Sequence, residues 1–288
     1  MSRTLGGALV SHLATRSHTR CTMLRLDLRD GTSLGVTDHD QDLAYNLGDG
    51  SITYRADTGI LASDVKLTAT LDADNYEVRG PIGDVVTIEA ILGGRYNRAA
   101  AKLFQVNHRS LGSGAIKLLK GTVAEARLEG GEFVLEVRSD TDRFNQVIGR
   151  NIVNNCDADH GDARCGRTPE SVVGTVTAVI DAVRFTVSFT GSYADGYFDV
   201  GTVEFLTGDL AGTAPVEIFS WTAAGAIVTF VPLAEAPQVG DTLDIIRGCG
   251  KSRADCMARN NILNFRGFPE VPGSDQVLRA TIPGQGND

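Results

Sequence analysis

"NCDADHGDARCG" at residues 155–166 and "GCGKSRADCM" at 248–257 each carry two cysteines: Cys156 with Cys165, and Cys249 with Cys256. What lies between the two pairs decides the reading. Residues 171–246 contain six short runs rich in β-branched and aromatic residues: "SVVGTVTAVI", "RFTVSFTG", "FDVGTVEFLTG", "PVEIFSWTA", "AIVTFVPL" and "DTLDIIRG". Such runs at short intervals, broken by Gly and Asp, predict a small β-barrel or sandwich. With cysteine pairs beside both of its ends, this unit reads as an insertion at 171–246. Its neck, 151–170 together with 247–272, would gather all four sulfurs.

The preceding residues, 1–150, also read as mainly β. Leu5, Ala8, Leu9 and Leu13 have helical spacing and predict a short helix over 4–15. "TMLRLDLRDGTSLGVTDHD" then alternates across Asp30-Gly31, which is a hairpin signal. "GSITYRADTGI", "DVKLTATLDA", "NYEVRG" and "DVVTIEAIL" read as further strands, and "RYNRAAAKLFQVNH" as a turn or brief helix entering another strand. "AIKLLKGTVAEARLEGGEFVLEVRSD" gives strands around an "EGGE" turn, and "RSDTDRFNQVIGRN" a helix or ordered loop. After Cys249, "KSRADCMARNNIL" predicts a helix carrying Cys256, "NFRGFPEVPG" a loop, and 273–288 a C-terminal tail with one strand-like stretch. The expected fold class is therefore mainly β (α+β), with a few short helices around the cysteines.

Composition narrows the function. The 288 residues carry a formal net charge of −9, which argues against a basic face for nucleic acid. No apolar run approaches the roughly 20 residues that cross a bilayer, and the first twenty residues lack the apolar core of a signal peptide. Folding in a reducing cytoplasm is the expectation. No Walker loop or dinucleotide fingerprint occurs, and the histidines have no partner motif, so no enzyme is expected.

Of the five cysteines, Cys21 sits in the strand-like "TRCTMLRLDL" and reads as a small buried apolar residue. Four readings compete for the others. Unconnected burial fits poorly, because "NNCDADHGDARCG" is too polar for a core strand. Disulfides within each pair conflict with a reducing compartment. Zinc suits four thiolates, but its paired cysteines typically lie two to four residues apart, against eight and six here. An iron–sulfur cluster takes thiolates from separate loops and suits the wide spacing better. Arg247, Lys251, Arg253 and Arg259 around the second pair would offset its negative charge. At the first pair, Arg150, Arg164 and Arg167 are offset by Asp157, Asp159, Asp162 and Glu170. Gly166, Gly248 and Gly250 would let backbone N–H groups approach the sulfurs. His160 reads as a solvated loop histidine and not a ligand. "TDHDQD" at 37–42 reads as a turn capped by its own side chains rather than a cation site.

Taken together, these stretches resemble the conserved tail proteins of long-tailed phages and of the related gene transfer agents of alphaproteobacteria. The resemblance lies in "TDHDQDLAY", "YRADTGILASDVKLTATLDADNYEV", "ILGGRYNRAAAKLFQVNH" and "GTVAEARLEGGEFVLEVRSDTDRFNQVIGRN". It continues in "CDADHGDARCG" and "CGKSRADCMARNNILNFRGFPEVPG". The tail tip protein L of lambdoid phages looks like a distant relative with a similar two-pair arrangement. The resemblance implies a structural hub protein of the distal tail tip, or baseplate. Cys156, Cys165, Cys249 and Cys256 would be the ligands of an iron–sulfur cluster, [4Fe–4S] before any smaller one, with zinc as second choice. It also implies a homotrimeric ring between a distal tail protein and a central fibre or megatron-like protein, assembled in the bacterial cytoplasm into a virion-like particle. DNA would pass through the lumen without specific binding. A cytoplasmic iron–sulfur or zinc protein with a redox or enzymatic role is the alternative.

Overall fold

In the computed structural model the residues described are 6–56, 60–62, 75–144 and 149–271. A short helix α1 (Gly7–Leu13) leads into β1 (Arg20–Asp27), β2 (Ser33–Thr37), β3 (Leu43–Asn46), β4 (Ser51–Arg55), β5 (Leu61–Ala62) and β6 (Asn75–Pro81). After helix α2 (Ile88–Leu92) come β7 (Ala100–Asn107), β8 (Ala115–Glu129) and β9 (Glu132–Ser139). Among the described residues these nine strands form one sheet, in the order β3-β4-β2-β1-β7-β8-β9-β6-β5. The mainly β expectation holds.

β1 is central, and its sequence shows why. Alternate residues enter opposite faces of a strand, and here both faces are covered, so Cys21 through Leu26 are all buried. Leu24 and Leu26 join the larger core with Val78, Leu103, Phe133 and Leu135. Cys21 and Met23 pack on the other face with Tyr54, Phe104 and Val106. Cys21 is thus the small core residue its context implied, and burial pushes its thiol up to about 11.

Arg25 shares the face of Cys21 and Met23, yet it is only 5 % exposed. A buried guanidinium needs a full set of acceptors. Its Nε donates to Asp27 Oδ1 at 2.7 Å, and its Nη atoms reach Ser33 Oγ and the carbonyls of Asp49 and Gly50. Lys102, opposite Arg25 in the β1–β7 register, donates to Asp27 at 3.0 Å and to Asp49 at 2.8 Å. The apolar face of the sheet therefore gives way along one strand to a closed ionic network.

One strand expectation fails. "DVVTIEAIL" contains helix α2 instead, because Thr87 Oγ1 accepts from Ala90 N at 3.2 Å and caps a first turn. Ile88, Ile91 and Leu92 follow at helical spacing, with Ile91 buried. The "EGGE" turn is a two-residue hairpin in which Gly130 and Gly131 both have positive φ, 61° and 89°, as its strand twist requires. "RSDTDRF" forms a 3₁₀ turn at Asp140–Phe144. The stretch expected as the strand "DVKLTATLDA" and the tail strand lie outside the described residues.

The second unit consists of β10 (Ser171–Val179), β11 (Arg184–Phe189), β12 (Thr202–Phe205), β13 (Val216–Trp221), β14 (Ala226–Thr229) and β15 (Thr242–Ile246). They close as β10-β11-β14-β13-β12-β15, every pair antiparallel. A barrel of six strands is narrow enough for side chains to fill. Val176, Phe185, Val203, Ile218, Trp221, Leu243 and Ile245 do so, all at most 2 % exposed. The barrel touches the sheet unit where Ala214 N donates to Gly93 O at 2.8 Å. A Cβ on Gly93 would lie 2.5 Å from Thr213 Cγ2, so the close approach requires glycine there.

Burial works to raise the Asp27 carboxyl, but hydrogen bonds from Arg25, Ser33 and Lys102 outweigh it and hold the pKa at about 2, against 3.8. A depressed carboxylate contributes stability above its unfolded pKa that disappears as pH falls through the folded one, here on the order of 2 kcal/mol. Urea titrations from pH 7 to pH 2 should show stability falling between about pH 4 and pH 2. Asp27→Asn should be less stable at pH 7 and flatter across that window.

Candidate functional site: a thiol-lined neck

Antiparallel pairing of β10 with β15 places Ser171 opposite Ile246, so both ends of the barrel leave at the same point. Arg247 N donates to Glu170 O at 2.8 Å and carries the pairing one step beyond the barrel. Glu170 and Arg247 therefore leave the barrel side by side. Cys156 N donates to Lys251 O at 2.8 Å, which joins the first cysteine loop to the second.

Each loop is shaped by a carboxylate. Asp162 Oδ1 accepts from Cys165 N at 2.6 Å, and Oδ2 from Asp159 N at 3.2 Å. Asp255 Oδ2 accepts from Gly250 N at 2.7 Å. Helix α3 (Arg253–Ala258) starts where Ser252 Oγ accepts from Asp255 N at 3.0 Å, and it carries Cys256 as expected. Asn261 bridges the pairs: its Nδ2 donates to Cys165 O at 2.9 Å and lies 3.7 Å from Cys165 Sγ, and its carbonyl accepts from Cys256 Sγ at 3.1 Å. Nothing in the sequence marks Asn261 for this role, because the contact depends on how the loop after α3 folds back.

Cys156, Cys165, Cys249 and Cys256 line one small cavity, together with Ala158, His160, Arg167, Lys251, Arg259 and Asn264 among others. All four thiols are free and half-buried. Burial pushes the thiols of Cys249 and Cys256 up, and at Cys256 the nearness of Cys156, Cys249 and Cys165 adds to it. The sulfurs share a cavity without converging on a point. Among the described residues no three His, Cys, Asp or Glu side chains meet closely enough to hold a single metal ion.

Beside the cavity, Glu170 is gripped from three sides. Tyr197 Oη and Arg247 Nη1 each donate to Oε2 at 2.7 Å, and Arg167 Nη2 donates to Oε1 at 2.7 Å. Tyr197 first, then Arg247 and Arg167, hold this carboxyl at about 2. The Arg247 guanidinium also stacks 4.0 Å from the Tyr197 ring centroid, which ties the neck to the barrel wall.

Several site expectations need correcting. Arg247 belongs to the Glu170 cluster and Arg253 pairs with Glu270, so neither lines the cavity, whereas Arg167, Lys251 and Arg259 do. Gly250 N and Gly166 N donate to Asp255 and to Asp162 O, not to sulfur. Gly248 is required by packing, since a Cβ there would lie 2.1 Å from Val200 O. His160 is not solvated: its Nε2 is buried in the cavity wall without a hydrogen-bond partner. Burial, then Arg259, pushes its pKa down. "TDHDQD", by contrast, is the expected turn capped by its own side chains: Thr37 Oγ1 accepts from His39 N at 3.2 Å and His39 Nδ1 from Gln41 N at 3.0 Å, while Asp38 and Asp42 accept from the more distant Thr22 N and Ala56 N.

Residues 6–168 match the family described as "Baseplate hub protein, N-terminal attachment domain". The chain belongs to this baseplate hub family. Residues 196–275, which include the second cysteine pair, match the family described as "Phage conserved hypothetical protein BR0599". A chain in a structure described as "Virion of native gene transfer agent (GTA) particle" is 27% identical, with a TM-score of 0.81. That match covers 98% of each chain, so it spans sheet, neck and barrel alike. No curated protein sequence matches.

Two neighbouring glycines should separate packing from loop shape. Gly248→Ala drives a Cβ into the Val200 backbone and should cost about 2–4 kcal/mol in urea denaturation. Gly250→Ala, whose Cβ would meet only Asp255 Oδ2 at 3.4 Å, should stay within about 0.5 kcal/mol of wild type.

Proposed function

We propose that this chain is a structural hub subunit at the distal tail tip of a phage-like particle or gene transfer agent, and that Cys156, Cys165, Cys249 and Cys256 hold an iron–sulfur cluster at its neck. The observation that carries the cluster is the convergence of four thiols from two distant loops on one cavity. The donor set fits: each iron of a [4Fe–4S] cluster takes one thiolate, so the four sulfurs need not meet at a single point as they would around zinc. Buried guanidinium N–H groups without an acceptor, at Arg167 and Arg259, face the same region and suit an anionic sulfur-rich group. His160 stays outside the ligand set.

Bound there, the cluster supplies a crosslink rather than a reaction centre. It ties residues 156 and 165 to residues 249 and 256, across the barrel that separates them. In a chain-entropy reckoning, closing a loop of this length is worth on the order of 4 kcal/mol. A rigid neck fixes the barrel against the sheet, which a subunit of a tail tip needs under the load of DNA ejection. Family membership and the match over 98% of a gene transfer agent chain support the particle role. In the assembly we place the chain in a trimeric ring between a distal tail protein and a central fibre protein, with DNA passing through without specific contacts. The net charge of −9 suits an inner wall that repels phosphate.

Anaerobically purified protein should contain iron and acid-labile sulfide, and Cys156→Ser and Cys249→Ser should each lower both and reduce thermal stability. His160→Ala should retain both. Zinc without sulfide in the wild type refutes the cluster. Particles made without the gene should show tailless or tip-defective forms by negative-stain microscopy, and normal infectious particles refute the hub role.

A further inference from the structure

Three buried nitrogens on the wall of the thiol cavity have no hydrogen-bond partner in the protein: His160 Nε2, Arg167 Nε and Arg259 Nη1. Two of them belong to guanidinium groups, which can only donate and stay charged at any ordinary pH. An unmatched charged donor in a buried wall costs more than a neutral one, so such an N–H calls for an acceptor.

The rest of both side chains is pinned. Arg259 is 9 % exposed; its Nη2 donates to Gly248 O at 2.7 Å and its Nε to Asp255 Oδ1 at 3.3 Å. Arg167 Nη1 donates to Arg259 O at 2.6 Å, while its Nη2 is held by Glu170. The two planar forks therefore cannot swing to solvent for a partner. Arg253, by contrast, lies outside the cavity and pairs with exposed Glu270.

Resting on the cluster reading above, we infer that Arg259, supported by Arg167, donates to the sulfur atoms of the bound cluster and raises its reduction potential. Reduction adds an electron to an already anionic centre. A fixed positive charge and N–H donors beside its sulfurs stabilise the reduced form more than the oxidised one. Lys251 also lines the cavity, but its ammonium is paired with exposed Asp159 at 3.5 Å and remains open to water, so it contributes less.

The test is a redox titration of anaerobically purified protein, followed by electron paramagnetic resonance and visible absorbance, for wild type, Arg259→Gln, Arg259→Lys, Arg167→Gln and Arg253→Gln. Arg259→Gln should shift the midpoint potential to more negative values with iron and sulfide per chain unchanged. Arg259→Lys should fall between it and wild type, and Arg253→Gln should overlay wild type. If Arg259→Gln fails to fold, Arg259→Lys and Arg167→Gln carry the comparison. Loaded variants with an unmoved midpoint overturn this inference and leave the cluster intact. A wild-type protein that takes up neither iron nor sulfide overturns the cluster and this inference together.

Discussion

The neighbouring positions of β10 and β15 in the closed barrel are the constraint on which the rest of the neck depends. A barrel whose first and last strands are paired must send both chain ends out together. That single fact brings cysteines that are more than eighty residues apart along the chain onto one cavity, and it lets the Glu170 cluster grip both ends at once. Had the barrel closed with its first and last strands apart, the same cysteine pairs would lie on opposite sides of it.

The neck is also notable for how little of it is apolar. Its order comes from carboxylates that cap turns, asparagine amides that bridge loops, and guanidinium groups held on two sides. Such networks are worth having only when every member is satisfied. Unmatched nitrogens of His160, Arg167 and Arg259 stand around the thiols, while others among the described residues lie at Arg95, Trp221 and Arg247. A similar logic operates in the sheet, where Asp27, Ser33 and two carbonyls complete the fork of the buried Arg25.

Much of the fold was legible in the residues, and the exceptions share a physical cause. Alternation and Gly or Asp turns marked the six barrel strands and the long hairpin, since period-two burial leaves its trace in any strand with one wet face. "DVVTIEAIL" misled because five residues are too few for a helical period to outweigh β-branched composition, and the deciding signal was the Thr87 cap. Gly248 was misassigned because its reason, the Val200 carbonyl, lies on a segment of the barrel distant in sequence. His160 was misread because a polar loop looks solvated until another loop covers it.

By itself, the sequence determined that the chain is mainly β, that a six-stranded unit interrupts a cysteine-bearing segment, and that the cysteines form two pairs on polar, turn-rich loops. These follow from local periodicity and spacing, which need no partner elsewhere in the chain. Tertiary structure alone decided which side chains stand around the thiols: Arg167, Arg259 and Asn261 rather than Arg247 and Arg253. That choice depends on how two loops cross at the barrel's exit, and side-chain direction there is set by long-range hydrogen bonds that no window of sequence contains.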